Sequence, residues 1–416
     1  MDIKKLVESK AQKALEASRK LAILSTAAKN SALLAMGASL IENRAQILEE
    51  NQKDLEAAQD KVKKSMLDRL ALNENRIAQM AEGLYQTAAL PDPIGRGEFE
   101  TIRPNGIRIR KIHVPLGVIG IIFESRPNVT ADAAALCLKS GNACLLRGGS
   151  EAIRSNIAIS KILQTAAEKS GIPSGAIEFI DVTDRDAVGV MTSLTKFIDV
   201  IIPRGGAGLI QRVKMESRVP VIETGVGVCH TFVDESADLD KALAISINAK
   251  TSRPSVCNAM ETLLIHESIA DKFLPIVAKS MREKNVELRG CSKCKKILPD
   301  IIDATEEDWV AEYNDLILSI KIVKDVDEAI EHINRFGTQH SETIVTNDLS
   351  NARKFQNEID AAAVYVNVST RFTDGFEFGF GAEIGISTQK MHARGPMGLN
   401  ELTSTKYLID GDGQIR

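Results

Sequence analysis

The feature that most constrains the fold is a repeat of short, continuously apolar runs separated by helical stretches. VIGIIF (118–123), ACLL (143–146), AIEFI (176–180), IDVII (198–202) and VPVI (219–222) are such runs. TADAAALCLK, EAIRSNIAISKILQTAAEKS, RDAVGVMTSL and GGAGLIQRVKM lie among them with helical composition. A strand without polar alternation must be covered on both faces, and helical crossovers between such strands make the sheet parallel. A second series follows Gly227. ETLLIH, LILSIKIV, TIVTN and AAVYVNV read as strands, and the stretches near 268–284, 326–335 and 350–359 read as helices. The pattern predicts an α/β chain with two α/β units in tandem. Ligands of such sheets bind at the carboxyl ends of the strands.

The flanking segments differ. Residues 11–58 read as helical, with Leu33, Met36, Leu40, Ile41, Ile47 and Leu48 at helical spacing, until Pro91, Pro93, Gly95 and Gly97 break the pattern. NGIRIRKIHVPLGV, from Asn105 to Val118, reads as an extended ribbon. It is either an arm that pairs with another subunit or an ordinary edge strand. From Thr370 onward, TRFTDGFEFGFGAEIG has the composition of a long, substrate-facing loop region.

Length and charge narrow the class. The 416 residues suffice for two or three domains with real cores. A net charge of −4 argues against a nucleic-acid partner held by bulk charge, though local arginines still suit small anions. The N-terminus has no apolar core of a signal peptide, and no run of 18 apolar residues predicts a membrane span. Six cysteines are too sparse for a disulfide framework, so reduced thiols in a cytoplasmic enzyme are expected.

Cys257, in KTSRPSVCNAMETLL, lies before an apolar run in a loop with Arg253, Pro254 and Ser255. Two readings stand: a strand-edge nucleophile with positive charge nearby, or a small buried hydrophobe. Cys137, Cys144 and Cys229 fit the second. Cys291 and Cys294 form a CxxC without a second pair to complete a zinc site, and read as structural or incidental. No metal site is expected: His266-Glu267 is not followed by a second histidine at the required spacing, and the six histidines are scattered.

Two turns are candidates for holding a nucleotide. In LLRGGSEA a strand ends at Arg147, Gly148 and Gly149 turn the chain, and Ser150 follows. Arginine and serine there tolerate a ribose 2′-phosphate, where a carboxylate would favour the free hydroxyl; a solvated turn is the competing reading. Near Arg204, Gly205 and Gly206, RGGAGLI follows an apolar run and precedes a helix, a weak motif but a reasonable phosphate position.

Several long segments resemble one family. FESRPNVTADAAALCLKSGNACLLRGGSEA, KTSRPSVCNAMETLL, HINRFGTQHSETIVT, AAAVYVNVSTRFTDG and FGFGAEIGISTQKMHARGPMGL are similar to gamma-glutamyl phosphate reductases, also called glutamate-5-semialdehyde dehydrogenases, a branch of the aldehyde dehydrogenase superfamily. The similarity runs to about Tyr407. Two departures stand out: Asn367-Val368-Ser369-Thr370 where Asn-Ala-Ser-Thr is usual, and Phe376-Glu377 where glycine and glutamine are expected.

The resemblance implies an aldehyde dehydrogenase-like fold. It places a cofactor-binding domain at 1–104 and 117–225, a catalytic domain at 226–392, and an oligomerisation arm at 105–116 and 400–416. It implies reduction of L-glutamyl 5-phosphate by NADPH to L-glutamate 5-semialdehyde and phosphate, through a thioester on Cys257, in proline biosynthesis. Asn128 is the implied second oxyanion donor beside the Cys257 backbone N–H. Glu223 is a positioning residue or modest base, and Glu312 a contact to the nicotinamide ribose. Ser125, Arg126, Arg253, Asn367, Ser369, Thr370 and Arg371 are implied substrate residues. Arg126 has an alternative role in a loop salt bridge. A homo-oligomer is expected, and a separate glutamate 5-kinase would supply the acyl phosphate. The rivals are a hydrolytic aldehyde dehydrogenase and a non-catalytic binding protein of the same fold.

Overall fold

The computed structural model describes residues 2–59, 61–62 and 64–416, and the chain divides into two compact units.

The first unit comprises Met1–Thr224, Gly379–Gly385 and Met397–Arg416. Its centre is a four-stranded parallel sheet in the spatial order Ile177–Phe179, Ala143–Arg147, Val118–Phe123, Val200–Arg204. The strands are buried almost throughout, as continuous apolar runs require. The order builds outward from Val118–Phe123 in one direction and then returns to its other side. The topological switch point therefore lies between Val118–Phe123 and Val200–Arg204, where a sheet of this kind opens a crevice at its carboxyl end. There the Glu124 N–H donates to the Arg204 carbonyl at 3.1 Å.

The expected strand VPVI does not form. It makes an isolated bridge, Ile201 with Val221. Pro220 lends its carbonyl to the Ile201 N–H at 2.8 Å but has no N–H to continue a ladder. The helical stretch 11–58 resolves into Ile3–Leu21, Thr26–Glu42 and Arg44–Ala58, the second capped by the Ser25 side chain. Leu33, Met36, Leu40 and Ile47 are fully buried.

The ribbon expected at 105–116 is not an edge strand. Strand Arg108–Pro115 is the middle of a three-stranded antiparallel sheet, flanked by Gly97–Ile102 and Thr403–Asp410 of the same chain. Cross-strand ion pairs join Arg108 to Glu100, Lys111 to Glu98 and Arg110 to Asp410.

The second unit comprises Gly225–Phe378 and Ile386–Pro396. It holds a seven-stranded parallel sheet in the order Ile302–Asp303, Glu287–Gly290, Ile317–Val323, Met260–His266, Cys229–Val233, Ser341–Val345, Ala363–Val366. Side chains alternate between two cores. Val233, Leu263 and Ile265 join Phe273 and Val277 of helix Glu267–Arg282. Phe232, Leu264 and Ile344 join Ile330 and Phe355 of helices Val326–Phe336 and Leu349–Glu358. Both faces are thus covered, as a parallel sheet demands.

Candidate active site

In the first unit, three segments reach the switch point from the ends of the three longer strands. The first is Glu124-Ser125-Arg126-Pro127, between Val118–Phe123 and helix Asn128–Lys139. Ser125 takes a positive φ of 45° and is buried. Its N–H and hydroxyl both donate to Glu151 Oε1, at 2.7 and 2.6 Å. Those two bonds hold a backbone shape that a non-glycine residue adopts only at a cost. Arg126 is half-buried. Asn128 donates from Nδ2 to Asp132 Oδ2 at 2.9 Å, one helical turn on. Burial pushes the Asp132 carboxyl up to about 6, against the opposing pull of Asn128 and the Arg204 charge.

The second segment is the turn after Ala143–Arg147. Arg147 Nη2 donates to the Thr183 carbonyl at 3.3 Å, while its buried Nε has no partner among the described residues. Burial pulls the guanidinium below its ordinary value, which favours an anionic partner. A Cβ on Gly149 would overlap the Glu151 carboxylate. Ser150 is exposed and opens a short 3-10 turn.

The third segment is Arg204-Gly205-Gly206, ahead of helix Ala207–Glu216. No side chain of the cap residue satisfies this helix start. Instead the Gly206 N–H donates to Glu124 Oε2 at 2.9 Å. A carboxylate oxygen thus stands where a helix N-terminus favours negative charge, and a phosphate oxygen would bind there by replacing it. The unpartnered, buried Arg147 Nε and the helix N-terminus at Gly206 fit a phosphorylated dinucleotide such as NADP. Glu223 accepts from Lys214 Nζ at 2.9 Å and is 20% exposed.

In the second unit the backbone of Cys257 is fixed from several directions. Cys257 is half-buried in the loop between helix Leu239–Thr251 and strand Met260–His266. Its carbonyl accepts from the Cys229 thiol at 3.2 Å. Burial keeps that thiol protonated by pushing it well above its ordinary value, so it remains a donor. A Cβ on Gly227 would overlap the Cys257 carbonyl oxygen and carbon, so only glycine fits there. The Gly227 N–H is held by Glu312 Oε1 at 2.8 Å, and the next N–H, of Val228, by Thr338 Oγ1 at 2.9 Å.

The residue after the cysteine is anchored as firmly. Asn258 Nδ2 donates to the carbonyls of Arg371 and Thr373, at 3.3 and 2.9 Å, and its own carbonyl accepts from Thr370 Oγ1 at 2.8 Å. Arg371 donates from Nε to Ser252 Oγ at 3.0 Å. Burial, followed by the charge of Arg253, pulls its guanidinium down, and Cys257 lies within reach of the same field. Arg253 itself is exposed.

The family comparison settles the class of this arrangement. Residues 3–313 and 299–408 match the aldehyde dehydrogenase family. The chain is 61% identical over 411 residues to gamma-glutamyl phosphate reductase of Caldanaerobacter subterraneus subsp. tengcongensis, covering 99% of both chains. It is 58% identical over 417 residues to that of Clostridium novyi, covering 100% of both. The crystal structure of gamma-glutamyl phosphate reductase from Thermotoga maritima matches with a TM-score of 0.95 at 53% identity, covering 99% of both chains. The chain belongs to the gamma-glutamyl phosphate reductase family.

Several of the expected site residues also make contacts within the protein. Asn367 sits at a φ of 58° and spends both polar atoms of its amide on the backbone of Thr346, at 2.9 Å each. Ser369 accepts from the Arg371 N–H, and Thr370 is fully buried against Asn258. Of these, Thr370 holds the loop that carries Cys257, and Glu312 holds it through Gly227. Sequence reasoning missed Cys229, Asn258, Thr338, Glu124 and Glu151. The available signal was their place within the long matching segments or, for Cys229, two residues after Gly227. Among the described residues, no group of three or more His, Cys, Asp or Glu side chains is arranged to hold a metal ion. No helix among them is long and apolar enough to cross a membrane.

Proposed function

We propose that Cys257 is the nucleophile of an acyl-phosphate reduction. The chain carries out NADPH-dependent reduction of L-glutamyl 5-phosphate to L-glutamate 5-semialdehyde, the reaction of its family. The observation that supports Cys257 is the clamp on its backbone: Cys229 on the carbonyl, glycine at 227 against it, and Asn258 tied to the 370–373 loop. Such fixation serves a reacting atom, because catalysis depends on placing the attacking group within a few tenths of an ångström.

In this reading the Cys257 thiolate attacks C5 of the substrate and the C–O bond to phosphate breaks. The thioester carbonyl then takes up a hydride, which bound NADPH supplies. The resulting oxyanion collapses, the C–S bond breaks, and the thiolate returns while the released phosphate takes up a proton. Both tetrahedral stages place charge on oxygen, and each aimed donor is worth roughly 3–4 kcal/mol. The backbone N–H of Cys257 is one proposed donor and the Asn128 amide, with one N–H beyond its bond to Asp132, the other. Arg147, Gly148, Gly149 and Ser150 are assigned to the adenosine phosphate of NADPH, and Arg204, Gly205 and Gly206 to its pyrophosphate. Ser125, Arg126, Arg253 and Arg371 are assigned to the substrate's anionic ends. Glu223, paired with Lys214, is a positioning residue.

The setting is inferred as cytoplasmic, with a glutamate 5-kinase activity supplying the acyl phosphate. A homo-oligomer is inferred from the three-stranded sheet, whose outer strands expose Phe99, Ile102, Tyr407 and Ile409.

The test is the reverse reaction: NADPH formation from glutamate semialdehyde and NADP, with and without phosphate, in the wild type and in Cys257→Ala. Phosphate-dependent activity, abolished in the variant, is expected. Oxidation that needs no phosphate would overturn the reading in favour of a hydrolytic dehydrogenase.

A further inference from the structure

The CxxC of the second unit belongs to none of the machinery above, yet its two sulfurs have been brought together. Strand Glu287–Gly290 ends at Cys291, whose N–H donates to the Ile320 carbonyl at 3.0 Å. The chain then makes the short helical turn Ser292–Ile297, which returns Cys294 under Cys291 with 3.6 Å between the sulfurs. Both are held over the end of strand Ile317–Val323. Cys291 Sγ accepts from the Ile322 N–H at 3.5 Å, and Cys294 Sγ lies 3.4 Å from the Ile320 carbonyl oxygen, the alternative to Cys291 as acceptor for its single S–H.

The two cysteines are not equivalent. Cys291 is half-buried and Cys294 fully buried. The Cys294 thiol and neighbouring backbone N–H groups stabilise a thiolate on Cys291, bringing it down to about 5, while Cys294 is pushed up. In the same turn Lys293 pairs with Glu267 and Lys295 with Asp303, and Lys296, with no ion pair among the described residues, supplies the net positive charge. A reachable sulfur that favours the thiolate, backed by a buried thiol in van der Waals contact, is the arrangement thiol–disulfide exchange needs.

We propose that Cys291 and Cys294 form a second reactive thiol site, separate from Cys257, which reacts with small anionic disulfides. The Cys291 thiolate attacks one sulfur of the incoming disulfide. The S–S bond breaks, one small thiolate leaves, and a mixed disulfide remains on Cys291. The Cys294 sulfur then attacks Cys291 Sγ, the bond to the second small sulfur breaks, and that departing thiolate takes up the Cys294 proton. The protein pair is oxidised by two electrons and the small disulfide is reduced to two thiols. Closing the bond to about 2.05 Å asks the sulfurs to approach by side-chain rotation within one helical turn.

The test uses the full chain, equilibrated with graded mixtures of reduced and oxidised glutathione and then quenched by alkylation. A glutamyl-specific protease keeps both cysteines in one peptide for mass spectrometry. The wild-type peptide is expected to lose two hydrogens as the mixture becomes oxidising. Cys294→Ser is expected to trap one glutathione on Cys291, and Cys291→Ser to leave Cys294 unmodified. Full alkylation of both cysteines at every ratio would overturn the proposal. So would glutathione on Cys294 in Cys291→Ser at the wild-type rate, or oxidation at Cys257 with the pair untouched.

Discussion

The two halves of the chemistry are built in opposite ways. At the turns proposed for the cofactor in the first unit, the buried Arg147 Nε has no partner among the described residues, the Gly206 N–H is lent to a carboxylate, and Ser150 is open to solvent. Around Cys257 in the second unit, side chains are instead spent on the protein's own backbone. The contrast follows from what each must do. A bound dinucleotide is recognised by charge and many contacts, so its turns need donors to spare. A nucleophile is one atom whose position decides the rate, so its neighbourhood is consumed in holding it.

That comparison yields graded tests. The largest effect belongs to Gly227→Ala, whose methyl must displace the Cys257 carbonyl. A misplacement of about 1 Å costs on the order of 100-fold, so steady-state kinetics should show kcat reduced at least that much. NADPH affinity, measured by fluorescence titration, should stay unchanged. Equal loss of both would break the division of labour. Next, Arg147→Ala should weaken NADPH binding by about 10- to 100-fold, the worth of a hydrogen bond to a charged group. NADH binding should change far less if Arg147 meets the 2′-phosphate.

Cys229→Ala removes one weak donor from the Cys257 carbonyl and should lower kcat about fivefold, near 1 kcal/mol, with KM unmoved. Cys229→Ser should restore the rate, a recovery that a purely volumetric role would not give.

The smallest effect is on stability. Asp132 titrates near 6 in the folded chain against an ordinary 3.8, so the fold prefers its protonated form. That contribution is full below pH 3.8 and is lost as pH rises through about 6. Asp132→Asn, which keeps an acceptor for Asn128, should leave Tm unchanged at pH 4 and raise it at pH 8. A Tm gain of the same size at both pH values would show that the carboxylate is not held against its charge.

Most of the first unit's sheet is readable from sequence because its strands are buried on both faces and carry little else. The second unit hides strands that contain polar residues. Cys229–Val233 includes His230, fully buried and paired with Glu342 of the adjacent strand at 2.9 Å. Neither residue looks like sheet interior until its partner is in place. Glu287–Gly290 and Ile302–Asp303 are too short to show a period. The site divides in the same way. Cys257 lies within a contiguous segment that can be matched, as do Arg147 and the glycines. The jobs of Glu312 and Thr338 depend on Gly227 and Val228, over a hundred positions away for Thr338, and no local pattern announces such a pairing.

The clamp on Cys257 has a consequence for the life of the chain on the ribosome. Its members enter in sequence: Gly227 and Cys229, then Asn258, then Glu312 and Thr338, and last the stretch from Thr370 to Thr373. A nascent chain that has already made its cysteine still lacks the segments that fix it. Because such non-local pairings form late and domains fold as units, Cys257 becomes positioned only as the second unit is completed. An interrupted or clipped chain should therefore keep a thiol at 257 without the geometry to use it.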